Sequence, residues 1–332
     1  MSSLSRTLIP ASQRQPIEAL QDALDLGSGD VVGKRSGFLI MLTLAGTIAI
    51  AGVLTDSTAT VIGAMIIAPL GTPILGIALG IVTGHLSLVV RSMLWVLSGL
   101  AIVVVLGLAF SVFVATPESL ATNSQVTGRT SPSLMDLIAA LATGFAGGFA
   151  MCRKDLSAVL PGVAIAISLV PPLGVVGVTA GQGQWGDALG AFILFVSNVI
   201  ALVIAGSIVF TMGGYARDPS SSREANRRRA YIVVTVLALI VAVPLAANSI
   251  VTVALARWSV AIQQTAVAWL QDDAGARVGE VEWTGVTATL DVITDDGETP
   301  PIEELRDALA ATVPGFVGVV VDVGQGIEVV VQ

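Results

Sequence analysis

Seven stretches of this sequence are almost free of charge and long enough to cross a lipid bilayer. They fall at 37–54, 58–82, 92–115, 134–152, 156–179, 188–212 and 230–255. Each holds about 18 to 26 residues, and at 1.5 Å per residue a helix of that length covers a ~30 Å hydrocarbon core. Lipid offers no partner to an open backbone group, so such stretches must bond to themselves as helices. Composition agrees: 54% of residues are hydrophobic, 12% are charged and mean hydropathy is +0.86, where soluble domains carry about a quarter charged residues. The expectation is an α-helical polytopic membrane protein of about seven crossings.

Lys and Arg positions orient the crossings. Lys34 and Arg35 precede the first, Arg91 follows the second, and Arg153 and Lys154 follow the fourth. Arg217, Arg223, Arg227, Arg228 and Arg229 lie between the sixth and seventh. Seven crossings place all of these in the cytoplasm. The opposite loops, 55–57, 116–133 and 180–187, hold a single basic residue, Arg129. The expected order is therefore a cytoplasmic tail at 1–34 with a short amphipathic helix, a membrane repeat at 35–115 and an extracytoplasmic loop at 116–133. A second repeat follows at 134–212, then a basic cytoplasmic loop at 213–229 and a seventh helix at 230–256. Residues 257–332 carry thirteen acidic and three basic residues within a net charge of −8, which makes them an acidic extracytoplasmic domain. Its patterns, a helix, strand alternation at Val286, Ala288, Leu290 and Val292, the helix "PIEELRDALAATV" and a hairpin around Gly324–Gly326, read as small α+β. Residues 1–33 are polar and read as lacking a cleavable leader. The expected location is the plasma (cell inner) membrane.

The second apolar stretch contains Pro69 and Pro73, and the fifth contains Pro171 and Pro172. Proline removes a backbone donor and costs roughly 3 kcal/mol inside a helix. Sliding the chain against itself by 99 residues aligns "DSTATVIGAMIIAPLGTPILG" with "DLSAVLPGVAIAISLVPPLGV", matching Asp56 with Asp155, Gly63 with Gly162 and Pro73 with Pro172. Each copy holds three crossings, so the second enters from the opposite side. This 3+3 arrangement is the inverted repeat of transporters, whose sites lie at broken helices near the midplane. Pro69, Thr72, Pro73, Ser168, Pro171 and Pro172 are then candidates for a pathway, joined by Asn198 in the sixth crossing. A kink made only for packing is the alternative reading.

The block "VIGAMIIAPLGTPILGIALG" and the segment "LVPPLGVVG" resemble the bacterial hydrophobic membrane family known as domain of unknown function 389. The resemblance covers about residues 35–215 and implies a polytopic membrane protein without an assigned activity. It implies no catalytic residue.

Other features have a bland reading beside a functional one. Gly76, Gly80 and Gly84, and Gly144 and Gly148, are stripes that let helices approach closely, within one chain or in a homo-oligomer. Asp56, Asp155 and Asp136 start apolar runs, where a carboxylate caps a helix; an ion pathway is the alternative. Asn198 and Asn248 suit interhelical hydrogen bonds or ligand coordination. His85 fits interfacial placement or pH sensing. "GQGQWGD" matches a dinucleotide fingerprint in letters only, since it follows a membrane stretch rather than a strand. One cysteine, Cys152, and one histidine leave no Cys or His metal cluster, and no cofactor is expected. Without a basic surface, nucleic acid is not an expected partner. The first expectation is a non-enzymatic transporter or channel for a small solute or ion, with its path at crossings two and five. The alternative is an oligomeric membrane scaffold or sensor whose acidic domain binds a partner or cation. A polar cavity at Pro73 and Pro172 separates the two.

Overall fold

A computed structural model describes residues 8–114, 116–156, 169–217, 227–270, 276–284, 287–294, 300–310 and 312–325. The chain forms two compact units, Met1–Ala246 and Ala247–Gln332. The first contains helices α1 (Ile17–Leu24), α2 (Val31–Leu54), α3 (Thr58–Ile67), α4 (Gly71–Thr83) and α5 (Leu86–Phe110). Then come α6 (Glu118–Ala121), α7 (Ser124–Thr130), α8 (Leu134–Cys152), α9 (Val170–Gly181) and α10 (Trp185–Met212). Helix α11 (Arg227–Trp269) runs from the first unit into the second, which adds β1 (Arg277–Thr284), β2 (Thr287–Thr294), α12 (Ile302–Ala310) and β3 (Gly318–Gln325).

Among the described residues, α2, α5 with its terminal turn, α8 and α10 are long and apolar enough to cross a membrane, and the bent pair α3–α4 makes a fifth span if counted as one. These helices point to a multi-pass membrane protein. The fifth expected stretch is represented by α9, whose 12 residues cover only about 18 Å; residues 157–168, including Ser168, lie outside the described residues. The seventh lies within the 43-residue α11, which runs on to Trp269 through the helical pattern expected after 256.

Local chemistry sets the helix ends. The Asp30 carboxylate accepts from the Gly33 N–H at 3.0 Å and starts α2 six residues before its apolar run, so Lys34 and Arg35 ride on the first turns. Ser133 and Asp136 form a reciprocal capping box at the start of α8. Pro69 interrupts the second stretch. Ala68 before it is extended, with φ −72° and ψ 125°, as the ring following it demands. The chain turns by 48° between α3 and α4. Pro73 breaks nothing, because it sits third in α4, where the first four N–H groups lack helical partners anyway. Pro171 and Pro172 likewise occupy the first turn of α9.

The short helices form the interior. Eleven of the 13 residues of α4 are buried, and Val170 to Val175 of α9 are buried without exception. Helix α4 packs on α5 and α10, and α9 on α2, α5 and α10. Close approach needs glycine: a Cβ on Gly107 of α5 would lie 2.7 Å from the Gly174 carbonyl of α9. The long helices expose apolar side chains instead, such as Ile40 and Leu44 on α2 and Leu94 and Val105 on α5. Such an apolar exterior is what a helix bundle in lipid requires.

The N-terminal segment closes one end of this unit. Residues 13–15 lie antiparallel to 152–154, with Gln15 N–H donating to the Cys152 carbonyl at 2.9 Å and Lys154 N–H to that of Gln13 at 2.8 Å. The Tyr215 hydroxyl donates to the Gln15 carbonyl at 2.8 Å, and the Arg14 guanidinium stacks 4.3 Å above the Tyr215 ring. Ile17, Leu20 and Leu24 bury the apolar face of α1, and Asp25 pairs with Arg91 at the start of α5.

In the second unit β1 pairs antiparallel with β2, and β2 parallel with β3, in the order β1-β2-β3. The parallel pair requires a crossover, which α12 supplies. Ala288, Leu290 and Val292 point into the core as their alternation predicts, against Ile262 and Ala266 of α11 and Leu305 and Leu309 of α12. Gly324 lies within β3 rather than at a hairpin tip, while Val286 and the residues from 326 onward lie outside the described residues.

Candidate functional site

A cavity of about 190 Å³ opens in the first unit where α9 begins. Its walls include Pro172 of α9, Asn198 and Leu194 of α10, Arg129 of α7, Asp136 of α8 and Met65 of α3. A volume of this size has room for several waters, and the polar groups offer them partners.

Arg129 reaches the cavity because the short α7 is tied down at both ends. At its start, Asn123 accepts from the Gln125 and Val126 N–H groups at 2.9 and 3.1 Å. The Asn123 amide also donates to the Val53 carbonyl at the end of α2, at 2.8 Å. Asp56 accepts from the Ser124 hydroxyl at 2.7 Å and the Gln125 N–H at 3.1 Å. These bonds hold the Asp56 carboxyl below the usual carboxylate range, the Ser124 hydroxyl contributing most. At its far end α7 rests on α10 at Gly190, where any Cβ would collide with the Thr130 carbonyl. Gly190 is thus a seat shaped for the backbone beside Arg129.

The electrostatics of the two charged groups differ. Arg129 is half-buried and donates one bond, to the Gln125 carbonyl of its own helix at 2.6 Å. No carboxylate among the described residues lies within ion-pair distance of it. Burial lowers its affinity for its proton, although a guanidinium stays charged. Asp136 is compensated: its carboxylate accepts from the Ser133 N–H at 2.9 Å and the Ser133 hydroxyl at 2.6 Å, at the positive end of α8.

Of the residues singled out in the sequence, Pro172 and Asn198 meet at this cavity, Asn198 only 2% exposed. Pro171 is its neighbour in the first turn of α9. Pro69, Thr72 and Pro73 are not among its walls; they shape the α3–α4 bend. Asp56 caps no part of α3, where Ser57 is the capping residue, and instead caps α7 across space. Asp155 pairs with Arg153 through bonds of 3.0 and 2.6 Å, and Arg153 keeps its carboxyl low. Gly144 and Gly148 admit Ala205 and Val209 of α10, at 2.8 and 3.1 Å from an added Cβ. Gly76 admits Ser92 and the Leu24 carbonyl, and Gly80 admits Val89. These four serve packing inside one chain. Gly84 instead closes α4 in the left-handed conformation, φ 75°, and His85 follows it as the residue before α5, its ring 2.9 Å from the Thr83 hydroxyl. In the sequence Arg129 stands out only as the single cation of its class of loops; the fold brings it to the cavity.

Residues 65–204 match the family model described as Domain of unknown function (DUF389), so the block resembling that family is recognised as such. An uncharacterised protein of Methanocaldococcus jannaschii is 31% identical over 202 residues, covering 61% of this chain and 62% of that protein's length. No solved structure matches. The matched region contains Arg129, Asp136, Pro172 and Asn198, and the acidic second unit lies beyond it.

Proposed function

We propose that the protein is a transporter or channel for a small solute or ion, with the cavity at Pro172 and Asn198 as part of the path. The observation that carries this reading is a polar, water-sized space at the head of a proline-started helix in a unit otherwise filled by apolar side chains. Capping accounts for Asp136, but neither capping nor packing gives a reason to bring the Arg129 guanidinium there. A membrane scaffold has no use for such a space. The reading includes seven crossings in a 3+3 inverted repeat, a cytoplasmic N-terminus and an extracytoplasmic acidic domain.

Support for the repeat comes from local geometry recurring at the spacing of 99. Helices α4 and α9 begin at Gly71 and Val170, and α5 and α10 at Leu86 and Trp185. Each short helix also packs on the long third helix of both halves.

The test is water access. Leu194 is 5% exposed and lines the cavity. In a Cys152→Ser background, Leu194→Cys is expected to react with a small membrane-impermeant thiol reagent in intact vesicles, and the adduct to slow solute flux. No reaction before unfolding would mean dry packing and would favour the scaffold.

A further inference from the structure

We propose that the cavity selects a small planar monovalent oxyanion, of the nitrate or short carboxylate kind, and that Arg129 is the residue that recognises it. This rests on the reading of the cavity as the solute site.

The cavity contains one charge compensated in place and one that is not. Asp136 has two donors from Ser133 and the positive end of α8. Arg129 has one carbonyl partner and, among the described residues, no carboxylate within ion-pair distance, while half-buried. A cation withdrawn from water without a counter-charge is costly, and an anion entering the cavity relieves that cost. Pro172 brings the positive end of α9 to the same space. Arg129 and Asp136 cancel in formal charge, so the preference for an anion rests on the donors open to the space, the Arg129 guanidinium and the start of α9.

Shape and size narrow the class. A guanidinium presents parallel N–H donors that fit a planar oxyanion two at a time. A single such group neutralises a single charge. About 190 Å³ admits nitrate, formate or acetate, with Met65 and Leu194 among the walls. Asn198 supplies an amide edge to the same space.

The test reads binding separately from transport. The full-length protein, purified in detergent, is heated in sodium formate, sodium nitrate or sodium gluconate at equal ionic strength. Formate and nitrate are expected to raise the midpoint by roughly 2–4 °C over the bulky gluconate. Arg129→Gln is expected to abolish the rise. Leu194→Trp, which fills the cavity without touching a charge, is expected to abolish it too. Arg277→Gln, in the second unit, should leave it intact. An equal rise in wild type and Arg129→Gln, or none in wild type, overturns the inference; so does a rise with sodium over a bulky cation that Asp136→Asn removes. In proteoliposomes, formate flux lost at least tenfold in Arg129→Gln extends the assignment to transport. Formate binding without any flux would instead sink the transport reading and leave the anion site standing.

Discussion

Gly84 and Gly183 hold almost the same left-handed conformation, with φ of 75° and 76°, and stand 99 residues apart. In each case the next residue donates its N–H five residues back: His85 to the Gly80 carbonyl and Gln184 to that of Thr179, both at 2.9 Å. The geometry is that of a Schellman-type helix end. Two turns of this shape, each between a short buried helix and a long one, sit in the register in which Pro73 aligns with Pro172.

Alanine at either glycine is expected to cost about 1–2 kcal/mol, the strain of an L-residue in the left-handed region. Both single variants should lower the unfolding midpoint in detergent by similar amounts. A large loss at one and none at the other would mean that the turns do not carry the same load.

Gly190→Ala should push the end of α7 away from α10, because no space separates the Gly190 backbone from the Thr130 carbonyl. The expected cost is about 1–3 kcal/mol of overpacking, together with loss of the formate-dependent midpoint shift as Arg129 is displaced. Retention of that shift would show that α7 is held by its first turn alone.

Asp56 makes the α7 anchor sensitive to acid. Its carboxyl is held below the ordinary value by the Ser124 hydroxyl, so its contribution is complete above the unfolded value of about 3.9. It fades as pH falls through the lower folded value. Loop 116–133 should become more open to an acid-active protease below that range, and Asp56→Ala should open it at neutral pH. Equal cleavage of wild type and variant at pH 7 would contradict the anchor.

Leu20 is 1% exposed on α1, under the unit's interior helices. Leu20→Ala is expected to cost about 2–5 kcal/mol and to release the N-terminal segment, which proteolysis near Arg14 would report. Undiminished protection would show that the strand-like pairing of 13–15 with 152–154 holds the segment without α1.

Much of this was legible in the chain. Apolar length located the long helices, "SPS" before Asp136 marked the start of α8, and the glycine pairs at 144 and 148 marked the seam that α10 fills. Proline marks a break in the second stretch, at Pro69. Pro69 ends one helix, whereas Pro73 and Pro172 sit in first turns where their missing donors cost nothing. Asp56 was the harder case, since its neighbours in sequence suggested the helix that follows it and its partners are on α7, almost 70 residues away. Arg129 was hidden for the same reason. Its meaning depends on Gly190 and Asn123, and pairwise contact across three helices leaves no periodic trace in the sequence.

The central claim is that two three-crossing halves face opposite ways, and side-specific labelling tests it most directly. In a Cys152→Ser chain, single cysteines replace Ser57 and Leu156, which stand at matched positions 99 residues apart, and Gln332. Intact cells are exposed to an impermeant maleimide, with permeabilised cells as control. The account predicts labelling at 57 and 332 and protection at 156. Labelling of 57 and 156 from the same side would contradict it.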